Sequence, residues 1–146
     1  MITRILVAVD DSPAALAAAR AAIDLAGPLK ARLRALSVIG DHTLRDTLVA
    51  RSSFPDVPAR REAAGVSLLE HVAELARQAA VEIETRQLGG EPARLILAEA
   101  RAWAADLVVI GKSGRHRLGE PYVGGQTAHV LEFADRPVLV IPPPGP

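Results

Sequence analysis

Four glycines close together carry the clearest chemical possibility in this chain. They are Gly111, Gly114, Gly124 and Gly125, four of the five glycines within Asp106 to Gln126, DLVVIGKSGRHRLGEPYVGGQ. The apolar run Leu107 to Ile110 stops at Gly111, and Gly114 follows three residues later. Nine residues then separate Gly114 from the pair Gly124-Gly125, and a helix-like segment, Thr127 to Phe133, comes next. A strand that feeds a glycine-lined loop, which in turn opens a helix, is suited to holding a phosphate. The loop amides have no side chains in the way, and the helix N-terminus adds positive potential. Glycine also lets the backbone approach an anion closely and take φ > 0. An ordinary strand-to-helix loop carries similar glycines, and short glycine patterns recur by chance. From the glycines alone both readings stand.

No other residues assemble into a reactive set. His42, His71, His116 and His129 are scattered, without the spacing of metal ligands, so no metal site is expected. No G-x-S-x-G elbow and no G-K-[ST] phosphate loop occurs; Gly111-Lys112-Ser113 lacks the upstream glycine of such a loop. The chain has no Cys, which excludes disulfides, thiolate metal sites and thiol catalysis. Trp103 reads as a helix-face packing residue. No catalytic residue is expected, and nucleotide hydrolysis would at most be slow, with Mg²⁺ held mostly by phosphates.

The glycine loop needs a scaffold, and the chain supplies alternating elements. Ile2 to Val9 is a nearly continuous apolar run, as in a strand buried on both faces. It stops at Asp10-Asp11-Ser12-Pro13, where Ser12 suits an N-cap and Pro13 a first helical turn. The helix from Pro13 should bury Leu16, Ala19 and Ile23 and end at Gly27-Pro28, about Ala26. Ala31 to Ile39 reads as a second strand. Gly40 to Pro58 is a long polar connection, with a short helical turn expected around Thr43 to Ala50. Ala59 to Ala80 is an amphipathic helix with Val66, Leu69, Val72, Ala73 and Ala76 on its apolar face.

Val81 to Leu88 alternates apolar and polar residues, like an edge strand. Gly89-Gly90 turns the chain, and Pro92 starts a helix to about Ala104 that buries Ala93, Ile96, Leu97 and Ala100. After the fourth strand and the glycine loop, Val138 to Ile141 is a short final strand, and Pro142 to Pro146 cannot extend a ladder. The order β-α-β-α-β-α-β-α-β implies one α/β domain: a five-stranded, open, doubly wound parallel sheet with helices on both faces. Ligands of such folds sit beyond the carboxyl ends of the strands, where strand order reverses. Those ends carry Asp10, Val38 and Gly111.

Composition narrows the function further. Of 146 residues, 49% are hydrophobic and 3% aromatic, so Ala, Val, Leu and Ile must build the core. Lys+Arg and Asp+Glu number 17 each, which argues against a basic surface for nucleic acid and against a polybasic membrane patch. The N-terminus does not read as a signal peptide, and no apolar run approaches the ~18 residues of a membrane helix. A cytoplasmic location is expected.

With these elements placed, the chain resembles the universal stress protein (UspA) family almost end to end. ILVAVDDSP resembles the family's opening strand and acidic turn. GGEPARLILAEARAWAADLVVIGKSG resembles the segment in which G-x-P leads a helix into a D-L-[IV]-V-[IM]-G strand, and RPVLVIP resembles the closing strand. The most specific element is G-x2-G-x9-G-[ST], the nucleotide motif of the ATP-binding branch, matched by Gly111, Gly114 and Gly124. The resemblance implies strand order 3-2-1-4-5 and an adenine nucleotide, ATP, ADP or AMP, with or without Mg²⁺. Asp10 would then accept from ribose hydroxyls, its alternative role being a carboxylate at a helix start. Val38 would meet the adenine, its alternative being core packing. Gly111 and Gly114 would line the phosphates, and Gly124 would open the helix facing them. Lys112 and Arg115 are the side chains expected to contact phosphate.

One departure stands out. The family pattern has Ser or Thr after the third glycine; here Gly125 is followed by Gln126. The Gly125 amide can still donate, and Gln126 or Thr127 can take the place of the hydroxyl. Losing one hydrogen bond to a charged group costs about 1.5–3 kcal/mol, which weakens ATP or favours AMP or ADP without abolishing binding. Glu120 adds an acid to the loop, but Lys112, Arg115, His116 and Arg117 outnumber it. Two functions follow: a nucleotide-binding stress-response regulator with little or no catalysis, or a module of the same fold that binds partners but no nucleotide. The resemblance also implies a homodimer, formed by the edge strand Pro137 to Ile141 pairing antiparallel with its twofold mate.

Overall fold

The apolar runs form five parallel strands in one sheet, ordered β3-β2-β1-β4-β5. These are β1 (Arg4–Val9), β2 (Arg32–Gly40), β3 (Ile83–Gly90), β4 (Leu107–Gly111) and β5 (Val138–Ile141). Four helices connect them among the described residues: α1 (Pro13–Leu29), α2 (Val57–Gln78), α3 (Pro92–Ala102) and α4 (Gly125–Phe133). The computed structural model describes residues 1–10, 12–40, 57–112 and 125–145, without the side chains of 57–61. The turn expected around Thr43 to Ala50 lies outside them. The strand order and fold class match the expectation from sequence.

Period-two alternation explains how one strand serves two cores. Ile5, Val7 and Val9 of β1 join Leu33, Leu107 and Val109 against α1 and α2. Leu6 points the other way and packs with Leu36, Val108 and Ile110 against α3 and α4. After Arg4, the central strands β1 and β4 carry no polar side chain, whereas edge strand β3 is half exposed. No helix among the described residues is long and apolar enough to cross a membrane.

The helices depart from the expected stripes in instructive ways. α1 buries Ala14, Ala15, Ala18, Ala19, Ala22, Ile23 and Ala26, while Leu16 is only half-buried. Alanines lie on its sheet-facing side because small side chains let the helix axis approach the strands. α1 also runs through Gly27-Pro28 to Leu29. Proline in a last turn forfeits one i→i−4 bond, too little to stop the helix there. In α2, Leu69, Val72 and Ala76 are buried, but Val66 is 43% exposed and Ala73 half-buried.

Three helices end with the same hydrogen-bonding pattern. Lys30, Ala80 and Ala104 take left-handed φ of 53°, 56° and 56° after α1, α2 and α3. The next amide then bonds five residues back: Ala31 to Ala26, Val81 to Ala76 and Ala105 to Ala100. This is the Schellman pattern, which satisfies carbonyls that a helix end leaves open. Each such cap returns the chain to the start of the next strand.

Charged groups fix α3 on the sheet. Glu99, 6% exposed, accepts from Arg34 Nη1 of β2 at 2.7 Å and from Arg86 Nη1 of β3 at 2.7 and 2.9 Å. Burying a carboxylate is tolerable only with such partners. The Arg34 guanidinium also lies 4.6 Å over the Trp103 ring, so Trp103 packs at the end of α3 rather than standing free. Arg136 Nη1 donates to the carbonyls of Ala100 and Ala105 at 2.9 and 2.8 Å, tying the approach to β5 to the end of α3.

Candidate functional site

The chain turns in opposite directions from β1, since β2 lies on one side of it and β4 on the other. The crevice at this reversal opens beyond the carboxyl ends of the strands. Asp10 follows β1, Val38 lies near the end of β2, and Gly111 ends β4. The structure brings all three to one cleft, lined also by Ala8, Ser12, Leu36, Ile96, Ile110 and Gln126. Its walls are largely aliphatic and its polar groups few, the usual make-up of a small-molecule site.

Asp10 shapes its own turn. Its Oδ1 accepts from the Ser12 amide at 2.8 Å, while Ser12 Oγ caps α1 by accepting from the Ala15 amide at 3.2 Å. Among the described residues no hydrogen bond uses Asp10 Oδ2. The helix-start role thus occupies Oδ1 and leaves Oδ2 without a partner among the described residues.

Gly111 is glycine for a reason internal to the fold. A Cβ there would lie 2.7 Å from Ala14 C, 2.8 Å from its O and 2.9 Å from its Cβ. The end of β4 therefore sits directly on the first turn of α1. The Gly111 carbonyl also accepts from Thr127 Oγ1 of α4 at 3.2 Å. Lys112, half-buried, donates its amide to the Ile141 carbonyl at 2.7 Å and so continues the β4–β5 ladder.

At the start of α4, the three residues differ sharply. Gly125 is exposed, a Cβ on it would meet nothing within 4 Å, and its φ is not left-handed. Gln126 is half-buried and lines the cleft. Thr127 is 1% exposed and holds Gly111. Gly114, Arg115 and Gly124, also expected at the site, lie outside the described residues. Sequence reasoning missed Ser12, Leu36, Pro92 and Ile96 as lining residues. The first turn of a helix that follows a strand end was the available signal for Pro92, and Ile96 lies one turn further on the same face.

Comparison with known proteins agrees with this geometry. The universal stress protein family model matches residues 1–142. The chain is 31% identical to universal stress protein YxiE of Bacillus subtilis over 97% of its own length and 99% of that protein. Among solved structures, the universal stress protein UspA of Lactobacillus plantarum superposes with a TM-score of 0.80 at 27% identity, covering 96% of this chain and 97% of that one. The universal stress protein of Archaeoglobus fulgidus in complex with dAMP shares the fold, with a TM-score of 0.67, 24% identity, and coverage of 97% and 99%. A match that takes in all five strands and the cleft between β1 and β4 leaves one conclusion: the chain belongs to the universal stress protein family.

Proposed function

We propose that this protein is an adenine-nucleotide-binding regulator of the stress response, cytoplasmic, and acting through binding rather than catalysis. The observation that carries this reading is the convergence of Asp10, Val38, Gly111 and Gln126 on one cleft at the strand-order reversal. A carboxylate oxygen suits a ribose hydroxyl, and the aliphatic walls from Leu36, Val38 and Ile96 suit a purine face. The start of α4 suits a phosphate, with Lys112 and, beyond the described residues, Gly114, Arg115 and Gly124 contributing. The Archaeoglobus relative solved with dAMP supports an adenine nucleotide as the ligand class. ATP, ADP and AMP are the candidates, with Mg²⁺ carried by the phosphates.

The protein acts as a homodimer in this reading. β5 is a sheet edge, its Leu139 is 36% exposed, and Leu131 and Phe133 of α4 are 45% and 54% exposed. An apolar edge of this kind pairs readily with a second copy. Sedimentation showing only a 15.4 kDa species at micromolar concentration would refute the dimer.

A second reading rests on Gly125: without the motif's hydroxyl, the fold serves as a dimeric interaction module that binds no nucleotide. Isothermal titration with ATP, ADP and AMP, with and without Mg²⁺, separates the two. Saturable binding of any of them supports the first reading. No detectable heat at millimolar nucleotide overturns it.

A further inference from the structure

Gly125 leaves the start of α4 without the side-chain hydroxyl of the family pattern. Gln126 and Thr127 are the adjacent side chains able to donate in its place. Their surroundings separate them. Thr127 is 1% exposed, and its single hydroxyl proton goes to the Gly111 carbonyl. It holds the helix in place, and that geometry leaves no proton for a ligand. Gln126 lines the cleft alongside Asp10 and Gly111 and is half-buried. No hydrogen bond among the described residues uses its carboxamide. A partly buried amide with no partner among the described residues gains from an acceptor, and gains most from a charged one.

Resting on the nucleotide reading above, we propose that Gln126 is the side-chain donor to the ligand's phosphate, replacing the absent hydroxyl one position earlier. Its Nε2–H₂ group donates to a phosphate oxygen, and the helix N-terminus behind it adds favourable potential. In this chain the side-chain donor at the start of α4 thereby stands at position 126, not 125.

The test is isothermal titration of the full chain with AMP and with adenosine, for wild type, Gln126→Leu and Gln126→Glu. Circular dichroism melts accompany each variant to confirm folding. Gln126→Leu should weaken AMP roughly tenfold and leave adenosine unchanged, because only the phosphate loses its donor. Gln126→Glu should weaken AMP further, through repulsion between like charges. Unchanged AMP affinity in Gln126→Leu would overturn the proposal. So would an equal loss for adenosine, which would make Gln126 part of the wall rather than a phosphate donor. Wild type that bound neither probe would instead sink the nucleotide reading, and this assignment with it.

Discussion

The hydroxyl of Thr127 donates to the main-chain carbonyl of Gly111 across 3.2 Å, and so pins the first turn of α4 to the end of β4. On its other side Gly111 rests against the backbone of Ala14 in the first turn of α1. Two helix N-termini therefore meet the same strand end. Their partial positive charges add in the cleft, where an anionic ligand gains from both.

Replacing Thr127 by Val keeps the shape and removes the bond. The Gly111 carbonyl then loses a buried donor, at a cost of about 1–3 kcal/mol. Thr127→Ser keeps the hydroxyl and loses one methyl, about 0.8 kcal/mol. Urea denaturation should rank wild type, Ser and Val in descending stability. A Val variant as stable as wild type would show that the bond contributes nothing.

Gly111 and Gly125 belong to one sequence motif but should respond oppositely to substitution. Gly111→Ala drives a Cβ to within 2.7–2.9 Å of Ala14 backbone and Cβ atoms, which neither can easily vacate. Overpacking of this kind costs about 1–3 kcal/mol, so loss of ligand binding at this position would not by itself assign a binding role. Gly125→Ser meets open space and should change stability by less than about 0.5 kcal/mol. It restores the motif hydroxyl and should tighten ATP roughly tenfold. Thermal melts and ATP titrations on the two variants check both halves.

Left-handed caps offer a stability gain. Ala80 and Ala104 hold φ of 56° with a Cβ that clashes in that region. Glycine there relieves about 1 kcal/mol each. For a chain of this size the melting temperature should rise by about 2–4 °C per substitution. A fall on either change would mean that the methyl group packs more favourably than the backbone strain costs.

The sequence made the sheet legible because apolar runs mark its central strands directly. Ile5 to Val9 and Leu107 to Ile110 are apolar runs that must be largely buried, and their neighbours Asp10 and Gly111 then fall at strand ends. What stayed hidden needed three dimensions. Gly27-Pro28 looked like a stop, yet the helix runs to Leu29 and is capped by Lys30, a residue with no left-handed preference of its own. Val66 fits the apolar stripe of α2 but is exposed. Gly111 read as a phosphate glycine, and its contact with Ala14, distant in sequence, gives it a packing role as well that no motif announces.

At the opposite end of β1 and β4 from the cleft, Asp106 gathers the start of both strands. Its Oδ2 accepts from the Thr3 amide at 2.9 Å, Thr3 Oγ1 at 3.0 Å and the Arg4 amide at 3.0 Å. The Thr3 amide, then the Thr3 hydroxyl, then the Arg4 amide hold this carboxyl below the usual aspartate range. A carboxylate with a depressed folded-state pKa stabilises the fold fully above its unfolded value, about 4. That contribution is lost as pH falls from there through the lowered folded value. Asp106→Asn keeps an acceptor oxygen in place but removes its charge. The variant should be less stable than wild type at pH 7, and the gap should close as pH falls from about 4 through the lowered folded-state value, below which wild type is protonated as well. Denaturation curves at several pH values from 7 downward check the sign. Because the clamp lies away from the cleft, nucleotide affinity at pH 7 should be unchanged in the same variant. A gap that widened in acid would mean that the charge of Asp106 is not what the Thr3 and Arg4 donors stabilise.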